Sequence, residues 1–209
     1  MGASASASVV HSNVTGGISI KLKIHQTTLR GENVTLRPMT ENDWDVLLRW
    51  NSDPEVLYYA EGEDVQSYSL DDIQRIYRTV SQTAFCFIIE ADGTPIGECW
   101  LQQMNLDRML HKYPGRDCRR IDLMIGDKAW WGRGVGTKVI RMLTACAFER
   151  EGAAFVFGCD IADYNAASLR AFEKAGYEIE AKLPQPAGEK AAYRYDVRCS
   201  RAAYRSVTG

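Results

Sequence analysis

Residues Cys118 to Ile140, CRRIDLMIGDKAWWGRGVGTKVI, constrain what this chain can fold into more than any other stretch. An apolar run holding a single acid, Ile121-Asp122-Leu123-Met124-Ile125, is followed by the turn Gly132-Arg133-Gly134-Val135-Gly136-Thr137. Beyond the turn, Val135, Val139, Ile140, Leu143, Cys146 and Ala147 recur at helical spacing, so a helix opens there. A strand, a glycine turn and a helix in that order make an anion site. Glycines let the backbone come close, the first helical N–H groups have no partner within the helix, and the helix dipole is positive at that end.

The turn is not a nucleoside-triphosphate loop, because Lys138 follows Thr137 where G-x-x-x-x-G-K-[ST] needs the reverse order. Nor does the spacing of Gly132, Gly134 and Gly136 fit the dinucleotide pattern G-x-G-x-x-G. It fits [QR]-x-x-G-x-[GA], with Trp131 where Gln or Arg is preferred. Further on, Asp160 to Tyr177, DIADYNAASLRAFEKAGY, fits D-x4-N-x6-[YF]-E-K-x-G-[FY]. With Ile121–Gly126 and Trp131-x-x-Gly134-x-Gly136-Thr137, these motifs resemble the GNAT superfamily of acyl-CoA-dependent N-acetyltransferases. Within it they resemble the aminoglycoside 6′-N-acetyltransferases, over a span from Leu36 to Val197.

A chain of 209 residues holds one domain with a full core. Its net charge of −2 argues against a general nucleic-acid binder, and no apolar run approaches the ~20 residues of a membrane span. The six cysteines form no C-x-x-C, and His11, His25 and His111 are far apart, so no metal site is expected. Most of the cysteines lie in apolar runs and read as buried thiols of a reducing, cytoplasmic compartment.

Residues 1–30 read as an N-terminal tail and 31–209 as the domain. Met1 to Gly17 is Ser-, Ala- and Gly-rich without the pattern of a secretory signal, while Ile18-x-Ile20-x-Leu22-x-Ile24 alternates as an extra edge strand or part of an extended arm. Val34–Pro38 is a strand, and Thr40 with Asp43 caps a helix carrying Trp44, Leu47 and Leu48 that Asp53-Pro54 ends. Val56 to Asp64 reads as a loop in which Tyr58 and Tyr59 accompany Glu61, Glu63 and Asp64. Ser69 caps a second helix. From Glu41 to Asp72 ten acids face one base, Arg49, as a solvated, helix-capping surface or as a substrate-facing patch. A hairpin follows around Asp92-Gly93, then a long loop with at most a short helical turn over Met104–Arg116. The strand Arg120–Ile125 and its helix lead to the strand Phe155–Cys159, a helix opened by Asn165 or Ala166 and ending at Gly176, a strand that starts with Tyr177–Ile179, and a last strand at Ala192–Val197. The order is α/β, a mixed sheet flanked by helices on both faces.

The resemblance implies that acetyl-CoA lies where the parallel strands Arg120–Ile125 and Phe155–Cys159 splay apart. Its pantetheine would run along Leu123, Met124 and Ile125, and its pyrophosphate would meet the amides of Arg133, Gly134, Val135, Gly136 and Thr137. Arg133 and Lys138 either add charge there or stay on the solvated surface. Asn165 matches a CoA contact, although a helix start favours Asn in any case. Phe172 stands where many members carry a tyrosine that protonates the departing thiolate. Asp122 matches the acid that holds and deprotonates the amine; a carboxylate in an apolar strand is costly unless paired, solvated or functional, and Arg119 or Arg120 is the alternative partner. Asp160 matches a second substrate acid or caps its own loop, and Tyr58, Tyr59 and Glu61 match residues that cover the amine. The acceptor implied is a small polycationic amine, with a protein N-terminus, a polyamine or a metabolite amine as alternatives. A non-catalytic acyl-CoA-binding module is the reading from another class, and monomer and homodimer are both compatible.

Overall fold

The computed structural model describes residues 20–61, 65 and 67–208. Eight strands form one sheet: β1 (Leu29–Arg30), β2 (Val34–Pro38), β3 (Ala84–Ala91), β4 (Thr94–Gln103), β5 (Cys118–Ile125), β6 (Phe155–Ala162), β7 (Glu178–Pro184) and β8 (Tyr193–Ser200). Their order is β1-β2-β3-β4-β5-β6-β8-β7, antiparallel except for β5 against β6. The β3–β4 hairpin closes on Asp92 and Gly93 at φ 49° and 77°, the two left-handed residues that a tight Asp-Gly turn requires.

Helices cover both faces, as the mixed pattern implies. One face carries α1 (Trp44–Trp50), α2 (Pro54–Ala60) and α3 (Leu70–Val80), whose Trp44, Leu47, Val56 and Ile73 pack with Trp100 and Met124. On the same face α4 (Asp107–Lys112) sets Met109 against Cys118, Phe157 and Cys159. The other face carries α5 (Val135–Ala145), continued by a π-helical turn over Cys146–Arg150, and α6 (Ala166–Lys174), packed on Ile121, Leu123 and Ile125. All eight residues of β5 are buried. Strand alternation therefore sends Leu123 to the α5 face and Asp122 with Met124 to the α1–α4 face.

Two elements differ from expectation, and two resolve readings that the sequence left open. Tyr58 and Tyr59 lie on helix α2, not in a loop: Asp53 accepts from the N–H groups of Glu55 and Val56 at 2.9 and 3.4 Å, and Pro54 occupies the first helical position. Asp53-Pro54 thus ends one helix and begins the next. Within Met104–Arg116 a six-residue helix, α4, forms. Residues 20–28 form no strand and run as an extended arm, with Leu22 buried and His25 Nε2 2.9 Å from the Cys86 carbonyl. A C-terminal helix, α7 (Arg201–Thr208), follows the last strand. Thr40 and Asp43 are as expected: Asp43 accepts from the Thr40 N–H at 2.7 Å at the entry to α1. Among the described residues no helix is long and apolar enough to cross a membrane, no group of His, Cys, Asp and Glu stands together as a metal site, and the six cysteines are free and buried.

Candidate active site

The parallel pairing of β5 with β6 covers only Cys118–Phe155, Arg119–Val156 and Arg120–Phe157. Beyond it the strands part, and a bulge between Gly158 and Ile161 bends β6 away. The edge of Leu123 to Ile125 that faces β6 has no strand partner among the described residues, and Asp122 and Asp160 stand at the fork.

On the α5 side of the fork a groove of about 420 Å³ opens between the glycine turn and α6. Gly132 and Gly134 adopt φ of 74° and 76°, and a Cβ on either would point into open space. The left-handed backbone favours glycine at both, and the open side leaves room for an anion against the start of α5. Of the expected cofactor residues, Ile125, Gly134, Val135, Gly136 and Thr137 line the groove. The charges differ from expectation. Arg133 is folded over the Trp130 ring at 5.2 Å, and Lys138 Nζ donates to Asn33 Oδ1 at 2.7 Å. The cations lining the groove are Arg170 and Lys174 of α6, which sequence reasoning misses although their spacing puts them one helical turn apart. Trp131 has a local reason of its own: its Nε1 donates to the Ile125 carbonyl at 2.7 Å, and its ring meets Tyr59 edge-on at 5.8 Å.

Four other expected cofactor residues are not among those lining the groove: Leu123 and Met124, buried on opposite faces of β5, and Asn165 and Phe172. Asn165 is buried; it accepts from the Ser168 N–H at 3.1 Å and donates to the Tyr59 carbonyl at 3.0 Å, tying the start of α6 to α2. Phe172 packs under β6, where its Cζ would sit 2.5 Å from a Cβ on Gly158, and its ring meets Tyr177. Gly158 is glycine because that ring occupies the side-chain position.

On the α1–α4 side, Asp122 is 2% exposed and pairs with Arg120, one of the two partners considered. Arg120 Nη2 donates to Oδ1 at 2.8 Å, Arg120 Nε to Oδ2 at 2.9 Å, and Trp100 Nε1 to Oδ2 at 2.7 Å. Burial works against the Arg120 charge, but the adjacent carboxylate outweighs it and holds the guanidinium above its ordinary pKa. Asp160 is not a bare carboxylate either. Arg108 of α4 bridges it at 2.8 Å to the buried Asp196 at 2.9 Å, and Asp160 sits at a left-handed φ of 58°.

The carbonyls at the end of α2 are held from across the cleft. Lys190 Nζ donates to Tyr58 O at 3.1 Å and lies 3.9 Å over the Tyr58 ring, while the Tyr164 hydroxyl donates to Glu61 O at 3.0 Å. Tyr58 is exposed beside this latch. Glu63 and Asp64 lie outside the described residues. Five acids of the Glu41–Asp72 run have structural partners: Asp43 with Arg37, Asp72 with Arg75, Glu41 with Arg78, and Asp53 and Glu55 with Lys128. For these the capping and surface reading holds.

Glu98 is missed by sequence reasoning, although the argument that marks Asp122, an acid inside an apolar strand, applies equally to it. It is 4% exposed in β4, and burial followed by the charge of Asp122 pushes it well above the usual carboxylate range.

A fork between two parallel strands, with a glycine-led helix start on one side and a buried acid on the other, is the architecture of an acyl-CoA-dependent transferase. The acetyltransferase (GNAT) domain family matches residues 33–178, and the chain belongs to this family, whose members carry out acetyl-CoA-dependent N-acetyl transfer. Aminoglycoside N(6')-acetyltransferase type 1 of Klebsiella pneumoniae is 27% identical over 205 residues, 96% of this chain and 99% of that protein. The enzyme of the same name from Serratia marcescens is 27% identical over 166 residues, 77% of this chain and 82% of that one. Aminoglycoside acetyltransferase AAC(6')-Ib, solved with coenzyme A and kanamycin, aligns with a TM-score of 0.70 at 25% identity, covering 84% of this chain and 99% of its own. Spermidine N-acetyltransferase from Vibrio cholerae, solved with CoA and spermine, shares the fold at a TM-score of 0.66 and 17% identity, covering 83% of this chain and 98% of that one.

Proposed function

We propose that this protein transfers an acetyl group from acetyl-CoA to the 6′-amine of an aminoglycoside, with Asp122 as the acid that holds and deprotonates that amine. The observation that carries this reading is the position of Asp122, a buried carboxylate just beyond the last β5–β6 pair, where the two strands part. Similarity along nearly the whole chain to a relative named for that activity supports it.

Acetyl-CoA supplies the activated acetyl thioester; the chain's own residues bind, orient and manage the proton. The amides that open α5 and the cations of Arg170 and Lys174 suit the pyrophosphate. An alkyl ammonium must lose a proton before it can attack. A carboxylate has about four acceptor positions. Arg120 and Trp100 fill three, two at Oδ2 and one at Oδ1, so Oδ1 retains a lone pair for the substrate N–H. The same donors fix the carboxylate in one orientation. Phe172 offers no proton to the departing thiolate, so either water supplies one or the thiolate, conjugate base of a thiol of pKa roughly 8.5, leaves unprotonated.

The test is thiol release from acetyl-CoA with kanamycin, spermidine and a short peptide as acceptors. Kanamycin is expected to turn over with the highest kcat/KM, and mass spectrometry should place one acetyl group at the 6′ position. Turnover of spermidine or peptide alone removes the aminoglycoside assignment; release with none of them favours a binding module.

A further inference from the structure

Glu98 is a buried titratable group that the reaction above leaves unused. Its register partner is Met124 and that of Trp100 is Asp122, so Glu98 and Asp122 lie diagonally on one sheet face. Such diagonal neighbours stand roughly 7–8 Å apart. Oε2 of Glu98 is buried and has no hydrogen-bond partner among the described residues. The titratable groups that bear on the side chain from its own face of the sheet are Tyr77 of α3, Asp122 of β5, Glu61 at the end of α2 and the thiol of Cys86 on β3. None of these is a cation. Burial and the neighbouring carboxylate favour a neutral carboxyl here, and a buried polar atom left without a partner is rare because it is costly.

We propose that Glu98 is a second seat for the acceptor, receiving an ammonium group other than the one acetylated. This rests on the reading of the protein as an acetyltransferase of polycationic amines. The Glu98 O–H bond breaks as the ammonium arrives, the proton passes to solvent, and a carboxylate–ammonium pair forms, so each acceptor bound releases one proton. Glu61 borders the same patch from α2. A substrate with a single amine gains nothing from the seat, whereas a di- or polycation gains a charge-assisted hydrogen bond in a buried site. Glu98 is thus a specificity-determining residue.

Glu98→Gln reproduces the shape of the neutral acid without a proton to lose. Kanamycin binding to the CoA-saturated enzyme is followed by calorimetry in two buffers of different ionisation enthalpy, which counts protons. The native enzyme is expected to release one proton more than Glu98→Gln. The ratio of kcat/KM for kanamycin to that for 6-amino-6-deoxyglucose, which has one amine, should fall by about tenfold in the variant. Equal proton counts, or an unchanged ratio, overturn the seat. A measurement on the native protein alone serves if the variant does not fold: the infrared band of a protonated carboxyl should be present without substrate and disappear with saturating kanamycin, and its persistence overturns the proposal. Should the native enzyme acetylate no aminoglycoside, the substrate reading fails on its own, and the same proton count and infrared measurement with spermidine then decide whether the seat exists.

Discussion

Asp122→Asn tests the centre of the site, and the structure sets the size of its two effects separately. The carboxylate lies beneath the surface with side-chain exposures of 3% for Arg120 and 2% for Asp122. The amide puts an NH2 group where one oxygen accepts from Arg120 and Trp100, so donor meets donor and the guanidinium is left buried without its counter-charge. Removing one partner of such a pair costs roughly 3–5 kcal/mol, against a total of about 5–15 kcal/mol for a domain. The chemical effect is added to this: loss of a positioned base lowers kcat by about 10²-fold or more. Arg120→Met separates the two, because it breaks the same pair but keeps the carboxylate. Both variants are expected to lose stability in urea unfolding. At a temperature where both remain folded, thiol release with kanamycin should fall far more in Asp122→Asn. Stability of Asp122→Asn within about 0.5 kcal/mol of native refutes the pairing argument, and native turnover refutes the base. Equal loss of kcat in the two variants assigns Asp122 to structure alone.

Three further outcomes follow from the geometry. Gly134→Asp puts a negative side chain on a left-handed residue at the mouth of the groove, so acetyl-CoA affinity by calorimetry should drop at least about tenfold while the fold persists. Phe172→Tyr adds a hydroxyl to the ring atom over Gly158, which should cost about 1–3 kcal/mol in thermal unfolding and leave turnover no higher; a tenfold gain in kcat instead means that thiolate departure limits the native enzyme. Glu98 has a folded-state pKa raised above its unfolded value, so its contribution to stability is fully present at acid pH and is lost as pH rises from the ordinary carboxylate range through the folded value. Glu98→Gln should accordingly match native stability near pH 4 and exceed it at neutral pH, and a gap independent of pH contradicts the burial argument.

Whatever depended on short-range pattern was legible in the sequence. The apolar run of β5, the glycine turn, the Asp92-Gly93 hairpin and the Asn165 helix start each depend on a few adjacent residues, and each is where the pattern put it. Elements with ambiguous or brief signals were not legible: Asp53-Pro54 serves as a helix start as readily as a stop, and six residues of α4 are too few to show a period. Of the two readings of the Ile18–Ile24 alternation, the extended arm is the one residues 20–28 form, lying over α3 and β3 rather than along a sheet edge.

The charges at the site were hardest to read, for one physical reason: a long side chain settles wherever its counter-charge or ring is, and that partner is often remote in sequence. Arg133 is beside the glycine turn yet lies over Trp130, Lys138 reaches Asn33 across 105 residues, and the groove takes its cations from α6. The acids follow the same rule. Asp122 has Arg120 two residues away, within reach of a sequence argument, while Asp160 is bridged by Arg108 from 52 residues away. Counting acids near the motifs therefore overstates the negative charge offered to a substrate. With Asp122 and Asp160 each carrying an arginine, an arriving polycation gains most from carboxyls that no internal cation balances. In the proposed site such a carboxyl is Glu98, whose buried Oε2 has no partner among the described residues, rather than Asp160, which Arg108 holds.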